Sequence, residues 1–368
     1  MDFLTILLIV VVVVVCVLLV AIGDRKVQTL GIILMIIVFS YVCAIRPLTS
    51  SDTTNYYNYY NKARSITQFH WGIGRDYNPW TENWYINFCW LMNRIGFSFT
   101  QFLFFTSFLF NTISIFSIIS IYKTLYQDEN RYRGLISILS LFVAQYGILY
   151  SYVVVRGALA LSFCLLSVAR LVKKKYISCG LFVFLAIAFQ NFSWVFLPII
   201  VLLLPHFKRR NNKLLFLCYF ASIALSVIRV DIILTRLLSN ISILSNLFAN
   251  EAYYDSQNIS YGLQKGMLLF LTQNVYLLYL LRSEYERKVN NYFNILTIGS
   301  ILATTINSNA TIRITNYFFV FQLFLYAEYF NSMTFYKGGK EKAINSIIIT
   351  IVIPVLSAIY MLRYCSII

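Results

Sequence analysis

Three arginines lie where apolar stretches of the sequence meet polar ones. Arg46 ends an apolar run directly before a proline, Arg156 lies in "YVVVRGALALSFCLL", and Arg313 lies in "NSNATIRITNYFFVF". A guanidinium presents its donors as a planar fork that binds phosphate oxygens in pairs. Together the arginines could clamp a diphosphate and neutralise the charge that develops as it leaves. The alternative for each arginine is to anchor at lipid headgroups or to pair with an acid in a loop.

Two carboxylates are candidates for acid or base chemistry. Asp52, Tyr56 and Tyr60 follow one another at a spacing of four residues, so a short helix would place them on one face. Asp52 could accept a proton or orient Arg46, or it could cap that helix, because "TSSDTTNYY" is rich in capping residues. Glu82, in "NPWTENWY", lies among tryptophans and could act as acid or base, or could cap a helix beginning at the next residue.

Tyrosine and tryptophan are concentrated in two long polar stretches, the first of which contains both carboxylates. Tyrosine and tryptophan rings stack on sugar faces while their polar ends form hydrogen bonds, which makes Tyr56 and Tyr60 candidates to bind sugar. Aromatic belts at membrane interfaces explain many such residues, and that interpretation is preferred for most of them. The crowded positions include Tyr57, Tyr59, Trp71, Tyr77, Trp80, Trp84, Tyr85, Trp90, Tyr253, Tyr254 and Tyr261.

The composition indicates an integral membrane protein. Of the 368 residues, 59% are hydrophobic and 12% are charged, far from the charged quarter of a soluble domain. The net charge of +16 is spread over short loops between apolar runs, which is typical of membrane orientation and not of nucleic-acid binding. The sequence contains neither a nucleotide-binding loop nor a serine hydrolase elbow, so an activated substrate is expected and a cofactor is not. With two histidines far apart and no paired cysteines, no metal is expected.

Apolar runs long enough, or nearly long enough, to cross a bilayer recur along the chain. We predict an all-α polytopic protein with roughly twelve transmembrane helices in a single domain over residues 1–368. The segment 83–97 is short and aromatic, and is interpreted as an interfacial or re-entrant helix. The predicted spans are about 3–22, 28–45, 98–122, 134–150, 154–171, 177–189, 192–207, 214–229, 267–281, 291–306, 314–332 and 344–363.

The distribution of lysine and arginine predicts an orientation. Clusters such as the lysines at 173–175 fall in alternate loops, and the positive-inside rule makes those loops cytoplasmic. The two long loops, about 46–97 and 230–266, then lie on the extracytoplasmic face. Lysine is rare on that face while arginine persists. Since the rule counts only charge, this bias favours a geometric role such as recognition of phosphate or carboxylate.

The order of these motifs resembles a known family. An Arg-Pro and D-x-x-x-Y-x-x-x-Y in "RPLTSSDTTNYYNYY" precede "TENWYINFCWLMNRIGFSF", then "RGALALSFCLLSVARLVKKKY" and finally "RITNYFF". The series is similar to the Wzy-type polysaccharide repeat-unit polymerases, particularly the EpsG-like branch. That resemblance implies a glycosyltransferase of the bacterial inner membrane, with its active site facing the periplasm or cell exterior. Its substrate would be an undecaprenyl diphosphate-linked oligosaccharide, and membrane lipid and a chain-length regulator are candidate partners.

The resemblance also implies roles for individual residues. Arg46, Arg156 and Arg313 would bind the carrier diphosphates, while Asp52, Tyr56 and Glu82 would belong to the sugar and acceptor site, with Asp52 or Glu82 as the base. Where the branch often has a histidine, this chain reads "AIAFQNFSW". Gln190 and Asn191 stand there and are candidates to bind the acceptor. A histidine base is therefore unavailable at that position. Either another group takes the proton, or the family histidine binds substrate and does not catalyse.

Other functions use similar features. A lipid-linked oligosaccharide flippase would place polar groups at the midplane of the bilayer, whereas the polar signals here lie towards one side. A ligase that moves finished glycan to another acceptor would need the same arginines. A non-catalytic assembly partner would leave the arginine bias unexplained.

Overall fold

The computed structural model describes residues 25–46, 48, 51–69, 82–126, 132–152, 154–204, 212–227, 237, 290–305, 309–333, 348 and 352–364. All regular secondary structure in these residues is helical. The prediction of an all-α protein is therefore confirmed for the described part of the chain. The predicted spans at 3–22 and 267–281 and the loop at 230–266, apart from Leu237, lie outside it.

The helices are numbered here in chain order. The first are α1 (Arg25–Ala44), α2 (Ser51–Ser65), α3 (Asn83–Arg94), α4 (Phe99–Leu125), α5 (Tyr132–Phe142), α6 (Ile148–Tyr152), α7 (Val155–Val172) and α8 (Tyr176–Phe189). They are followed by α9 (Phe196–Leu203), α10 (Asn212–Val227), α11 (Asn290–Thr305), α12 (Asn309–Phe319), α13 (Gln322–Met333) and α14 (Ile353–Tyr364). A π-helical turn, Val143–Gly147, joins α5 to α6, and a 3₁₀ turn, Asn191–Val195, precedes α9.

Within the described residues, α4 and α7 are long and apolar enough to cross a membrane. Shorter apolar helices cover Thr29–Ala44, Ile138–Tyr152, Tyr176–Phe189 and Asn191–Leu203. These helices coincide with predicted apolar runs, while the total of about twelve spans stays a prediction. The chain divides into two compact units, Met1–Trp194 with Phe330–Ile368 and Val195–Tyr329. The prediction of one polytopic domain is not tested by that division.

In the first unit, α4 packs against α1 and α7, and α7 packs against α8. A capping box begins α4: Ser98 Oγ accepts from the Gln101 N–H at 3.2 Å, and Gln101 Oε1 accepts from the Ser98 N–H at 2.8 Å. Further along, the buried Asn111 Nδ2 donates to Ser151 Oγ at 3.1 Å. This bond ties α4 to the end of α6 and fixes the backbone that follows.

Helices α4 and α7 run in the same direction. Phe102 and Val155, near their first residues, share one hydrophobic cluster. Lys123 and Lys173, near their last residues, line one cavity. The unit therefore has an aromatic end and a basic end, separated by the length of these two helices.

A tight turn ends α7. Lys174 has a φ of 58°, and the N–H groups of Lys174 and Lys175 donate to the carbonyl oxygens of Leu171 and Arg170 at 2.8 and 2.9 Å. These bonds form a Schellman motif, which satisfies the last carbonyls of a helix. The turn reverses the chain into α8 and fixes the positions of Arg170 and Lys173.

In the second unit, α11 packs against α10 and α12. Ser222 Oγ lies 2.5 Å from Thr304 Oγ1, a buried link between α10 and α11. Gly299 lies against the Cβ of Phe318, where an added methyl group would overlap the α12 side chain. Glycine is therefore needed for the close approach of α11 and α12.

Replacing Gly299 by alanine is expected to destabilise the protein by about 1–3 kcal/mol, because overpacking forces a helix to shift. Thermal unfolding in detergent measures the effect. Gly180 in α8 is the matched control, since a Cβ there meets nothing within 4 Å. A Gly180→Ala variant should be more stable by about 0.5–1 kcal/mol. Equal shifts in both variants would contradict the packing argument.

Candidate active site

An ion pair lies at the aromatic end of the first unit. Arg156, in the first turn of α7, donates from Nη1 to Glu82 Oε2. The other carboxylate oxygen, Oε1, accepts the backbone N–H of Asn191 at 3.2 Å. Side-chain exposure is 25% for Arg156 and 8% for Glu82. The structure thus brings together three of the residues selected from the sequence, which belong to three separate segments.

Glu82 occupies the cap position of α3 without capping it through its side chain. Its backbone is extended, at φ −65° and ψ 127°, and its carbonyl accepts the N–H of Tyr85 at 3.1 Å. The side chain forms no capping hydrogen bond. The Glu82 carboxylate therefore bonds to Arg156 and Asn191, and only the Glu82 backbone takes part in beginning α3.

Aromatic rings form the floor beneath Arg156. Its guanidinium carbon lies 5.9 Å from the ring centroid of Tyr85, within range of a cation–π interaction. The Tyr85 ring meets Tyr56 edge to face at 5.9 Å between centroids. Burial raises the pKa of the Tyr85 phenol well above its usual value, so the ring stays neutral. The phenols of Tyr56 and Tyr85 are close enough to interact electrostatically with Arg156 and with Arg46.

Arg46 is 5% exposed and is held by the backbone at the end of α6. Its Nη1 donates to the carbonyl oxygen of Tyr152 and lies 3.5 Å from that of Ser151. Its Nε and Nη2 are buried and have no hydrogen-bond partner among the described residues. Burial lowers the pKa of Arg46, because desolvation disfavours the charged form. A bound anion would offset that cost and could accept hydrogen bonds from these two nitrogens.

Arg156 also has a donor without a partner. Its Nε is buried and has no hydrogen-bond partner in the described part of the chain. Burying a charged donor without a partner costs more than burying a neutral one. Both arginines thus combine one fixed contact with at least one donor available to a ligand.

Gln190 and Asn191 lie where α8 passes into the 3₁₀ turn. Gln190 is buried, and a Cβ added to Gly157 would lie 2.8 Å from its Oε1. The same Cβ would lie 2.8 Å from Val154 Cγ1 and 3.1 Å from Tyr150 Cε1. Gly157 therefore lets the Gln190 side chain pack directly against the first turn of α7, one residue after Arg156.

A Gly157→Ala variant is expected to lose activity by about tenfold to a hundredfold, since a displacement of about 1 Å at a catalytic site has effects of that size. The methyl group would overlap Gln190 Oε1 and Val154 Cγ1, so these side chains must shift in the immediate surroundings of Arg156. The rate of product formation measures the effect, with Gly180→Ala as the control. Full activity in Gly157→Ala would show that the position of Gln190 does not matter.

Two predictions concern α2: that its spacing forms a helix, and that Tyr60 binds sugar. The helix forms over Ser51–Ser65, as the spacing of Asp52, Tyr56 and Tyr60 predicted, and it begins before Asp52. Tyr60 is buried against Phe102, and its hydroxyl donates to the Phe97 carbonyl oxygen at 2.7 Å. Burial raises the pKa of Tyr60 to about 12, which keeps that donor protonated. These contacts are those of a packing residue, and sugar binding by Tyr60 stays a prediction.

Two predicted site residues are placed only by their helices. Asp52 lies in the first turn of α2, where the helix dipole favours an acid. Arg313 lies in α12, in the second unit. Their side chains lie outside the described part of the structure, so their roles stay predictions.

The model of the EpsG family matches residues 32–367. The chain belongs to the EpsG family. No curated protein and no solved structure matches it. The family match includes every candidate site residue from Arg46 to Arg313, and it confirms the resemblance noted in the sequence. Membership in the EpsG family, with the apolar helices, indicates a membrane protein with a role like that of a polysaccharide polymerase.

Sequence reasoning missed parts of this EpsG-family site. Tyr85 was counted among the interfacial aromatics, yet it is fully buried beneath Arg156. The backbone carbonyl of Tyr152 holds Arg46, but no sequence pattern marks it, because every residue has a backbone carbonyl. Gly157 did carry a signal, since a glycine directly after a candidate arginine indicates close packing.

Proposed function

We propose that this EpsG-family protein polymerises a polysaccharide from lipid-linked repeat units. It transfers the growing glycan from undecaprenyl diphosphate to the next lipid-linked unit, on the extracytoplasmic face of the bacterial plasma membrane. The observation that carries the proposal is the pair of largely buried arginines, Arg46 and Arg156, with donors that lack partners among the described residues. Such donors suit a diphosphate, which accepts several hydrogen bonds and carries negative charge.

In the proposed reaction, a hydroxyl of the acceptor sugar attacks the anomeric carbon of the donor. The bond from that carbon to the diphosphate oxygen breaks, and the diphosphate leaves with the electron pair. Arg46 and Arg156 stabilise the negative charge that develops on it. The anomeric centre passes through a state resembling an oxocarbenium ion. No cofactor is required, because the diphosphate ester already activates the donor.

The hydroxyl proton needs an acceptor. Both oxygens of Glu82 already accept hydrogen bonds, from Arg156 and from Asn191, so Glu82 is better suited to position Arg156. Asp52 is then the better candidate for the base. It precedes Tyr56 by one turn of α2, and Tyr56 lies against the aromatic floor of the site.

The decisive experiment supplies the purified protein with one defined lipid-linked repeat unit and resolves the products by gel and mass spectrometry. A ladder that grows by one repeat unit, with release of undecaprenyl diphosphate, is the expected result. Movement of the intact lipid across vesicles with no new glycosidic bond would instead identify a flippase. Transfer of glycan only to a different lipid or protein would identify a ligase. Either of those outcomes would overturn the proposal.

A further inference from the structure

A groove bordered by three cationic side chains lies at the basic end of α4 and α7. Two adjoining cavities there have volumes of about 320 and 440 Å³ and share Phe116, Ser120 and Lys173. Lys123, Arg170 and Lys173 supply the charges of these cavities. We call the two cavities together the basic groove. None of the described residues that line it is acidic.

The basic groove contains hydrogen-bonding atoms that lack partners in the described part of the chain. Ser117 is 1% exposed and lines the groove, and its Oγ has no hydrogen-bond partner there. The same holds for Thr112 Oγ1 and Arg170 Nε. Serine and threonine in a helix commonly donate to the preceding turn, as Thr106 does to Phe102 at 2.8 Å. These three atoms lie in the wall of the groove, beneath its accessible surface.

The groove also has an apolar wall. Phe116 is 52% exposed, and Ile113, Ile119 and Leu166 lie beside it. Both helices are long and apolar enough to cross a membrane. Lys123 and Arg170 lie in their last turns, and Lys173 directly follows α7. A ligand for this groove therefore needs an anionic group at the membrane surface and an apolar tail running along the helices.

We propose that the basic groove binds an anionic glycerophospholipid, with its phosphate between Lys123, Arg170 and Lys173 and one acyl chain against Phe116. Orientation by the positive-inside rule requires only charge in a loop. It does not require that the charges converge on a groove between two helices, beside an apolar wall, and that convergence is the basis of the proposal. The basic groove lies at the other end of α4 and α7 from Arg156, so this proposal is independent of the proposed reaction.

The test measures lipid binding by the purified full-length protein in detergent, using native mass spectrometry and thermal stabilisation. The probes are phosphatidylglycerol, phosphatidylcholine, polyprenyl phosphate and inorganic phosphate. Phosphatidylglycerol should bind most tightly. A Lys123→Gln, Lys173→Gln double variant should bind it roughly 25-fold more weakly, about fivefold for each charge removed. Polymer formation in detergent should be unchanged.

Lys174→Gln is the matched control, because Lys174 is a neighbouring exposed lysine that does not line the groove. It should bind phosphatidylglycerol like the unaltered protein. The proposal would be overturned if the double variant bound phosphatidylglycerol as tightly as the unaltered protein. It would also be overturned if Lys174→Gln lost as much affinity as the double variant. Equal affinity for phosphatidylcholine or inorganic phosphate, or tighter binding of polyprenyl phosphate, would overturn it as well. Thermal unfolding without added lipid verifies that the double variant is folded.

Discussion

Replacing Arg156 by lysine is expected to slow polymer formation by a factor of about a hundred to a thousand, the range seen when one preorganised donor is removed from a catalytic site. Lysine keeps the charge, but it cannot hold Glu82 and at the same time present the Nε donor of the guanidinium. Single lipid-linked units should accumulate. The measurement is the rate of ladder growth from a defined lipid-linked repeat unit.

An Arg156→Ala variant confounds folding with function, because it leaves the buried Glu82 carboxylate without its cation at a cost of about 3–5 kcal/mol. A double variant, Arg156→Met with Glu82→Gln, removes both charges and should recover most of that stability while remaining inactive. Thermal unfolding and ladder growth are measured on the same preparations. A stable and active double variant would exclude the ion pair from the reaction.

Arg94 is the matched control for Arg156. It lies in α3, its Nη2 donates to the carbonyl oxygens of Ile66 and Thr67, and its guanidinium lies 5.5 Å from the ring of Trp90. The sequence places both arginines on the predicted extracytoplasmic face. An Arg94→Lys variant should leave ladder growth unchanged. If Arg94→Lys and Arg156→Lys slow growth equally, the effect is not specific to the candidate site.

Replacing Arg46 by glutamine is expected to slow polymer formation by at least about a hundredfold while leaving the protein folded. The shorter amide cannot reach the Tyr152 carbonyl oxygen that Nη1 contacts, so the loss of stability should be about 1 kcal/mol, the value of one hydrogen bond. The positive charge is lost, and so are the two nitrogens that lack partners among the described residues. In addition to the rate, inhibition by inorganic pyrophosphate should weaken, because that anion would bind at the same donors.

The pyrophosphate measurement separates binding from structural support. If Arg46 only supports the end of α6, the variant should lose stability but keep its sensitivity to pyrophosphate. Arg64→Gln is the control, since Arg64 is an exposed arginine of α2 in the same predicted loop. An Arg46→Gln variant with normal growth and normal inhibition would contradict the diphosphate role.

Much of the local structure was predictable from the sequence. The helix Ser51–Ser65 and the start of α3 after Glu82 follow from residue spacing and capping preferences, which act over a few neighbouring residues. The apolar helices follow from runs of apolar residues, because a membrane helix must satisfy its backbone hydrogen bonds within itself. The π-helical turn Val143–Gly147 was not predicted, since one extra residue in a helix leaves no periodic signal over so short a segment.

The sequence by itself determined the all-helical apolar class, the order of motifs that places the chain in the EpsG family, and the types of residue that could bind a diphosphate. Only the tertiary structure decided which of them meet. Glu82 pairs with Arg156, which lies 74 residues away, and with the backbone of Asn191, while Arg46 takes a backbone carbonyl as its partner. Local patterns report which face of a helix a residue occupies. The packing of several helices decides which faces touch, and that depends on contacts distant in sequence.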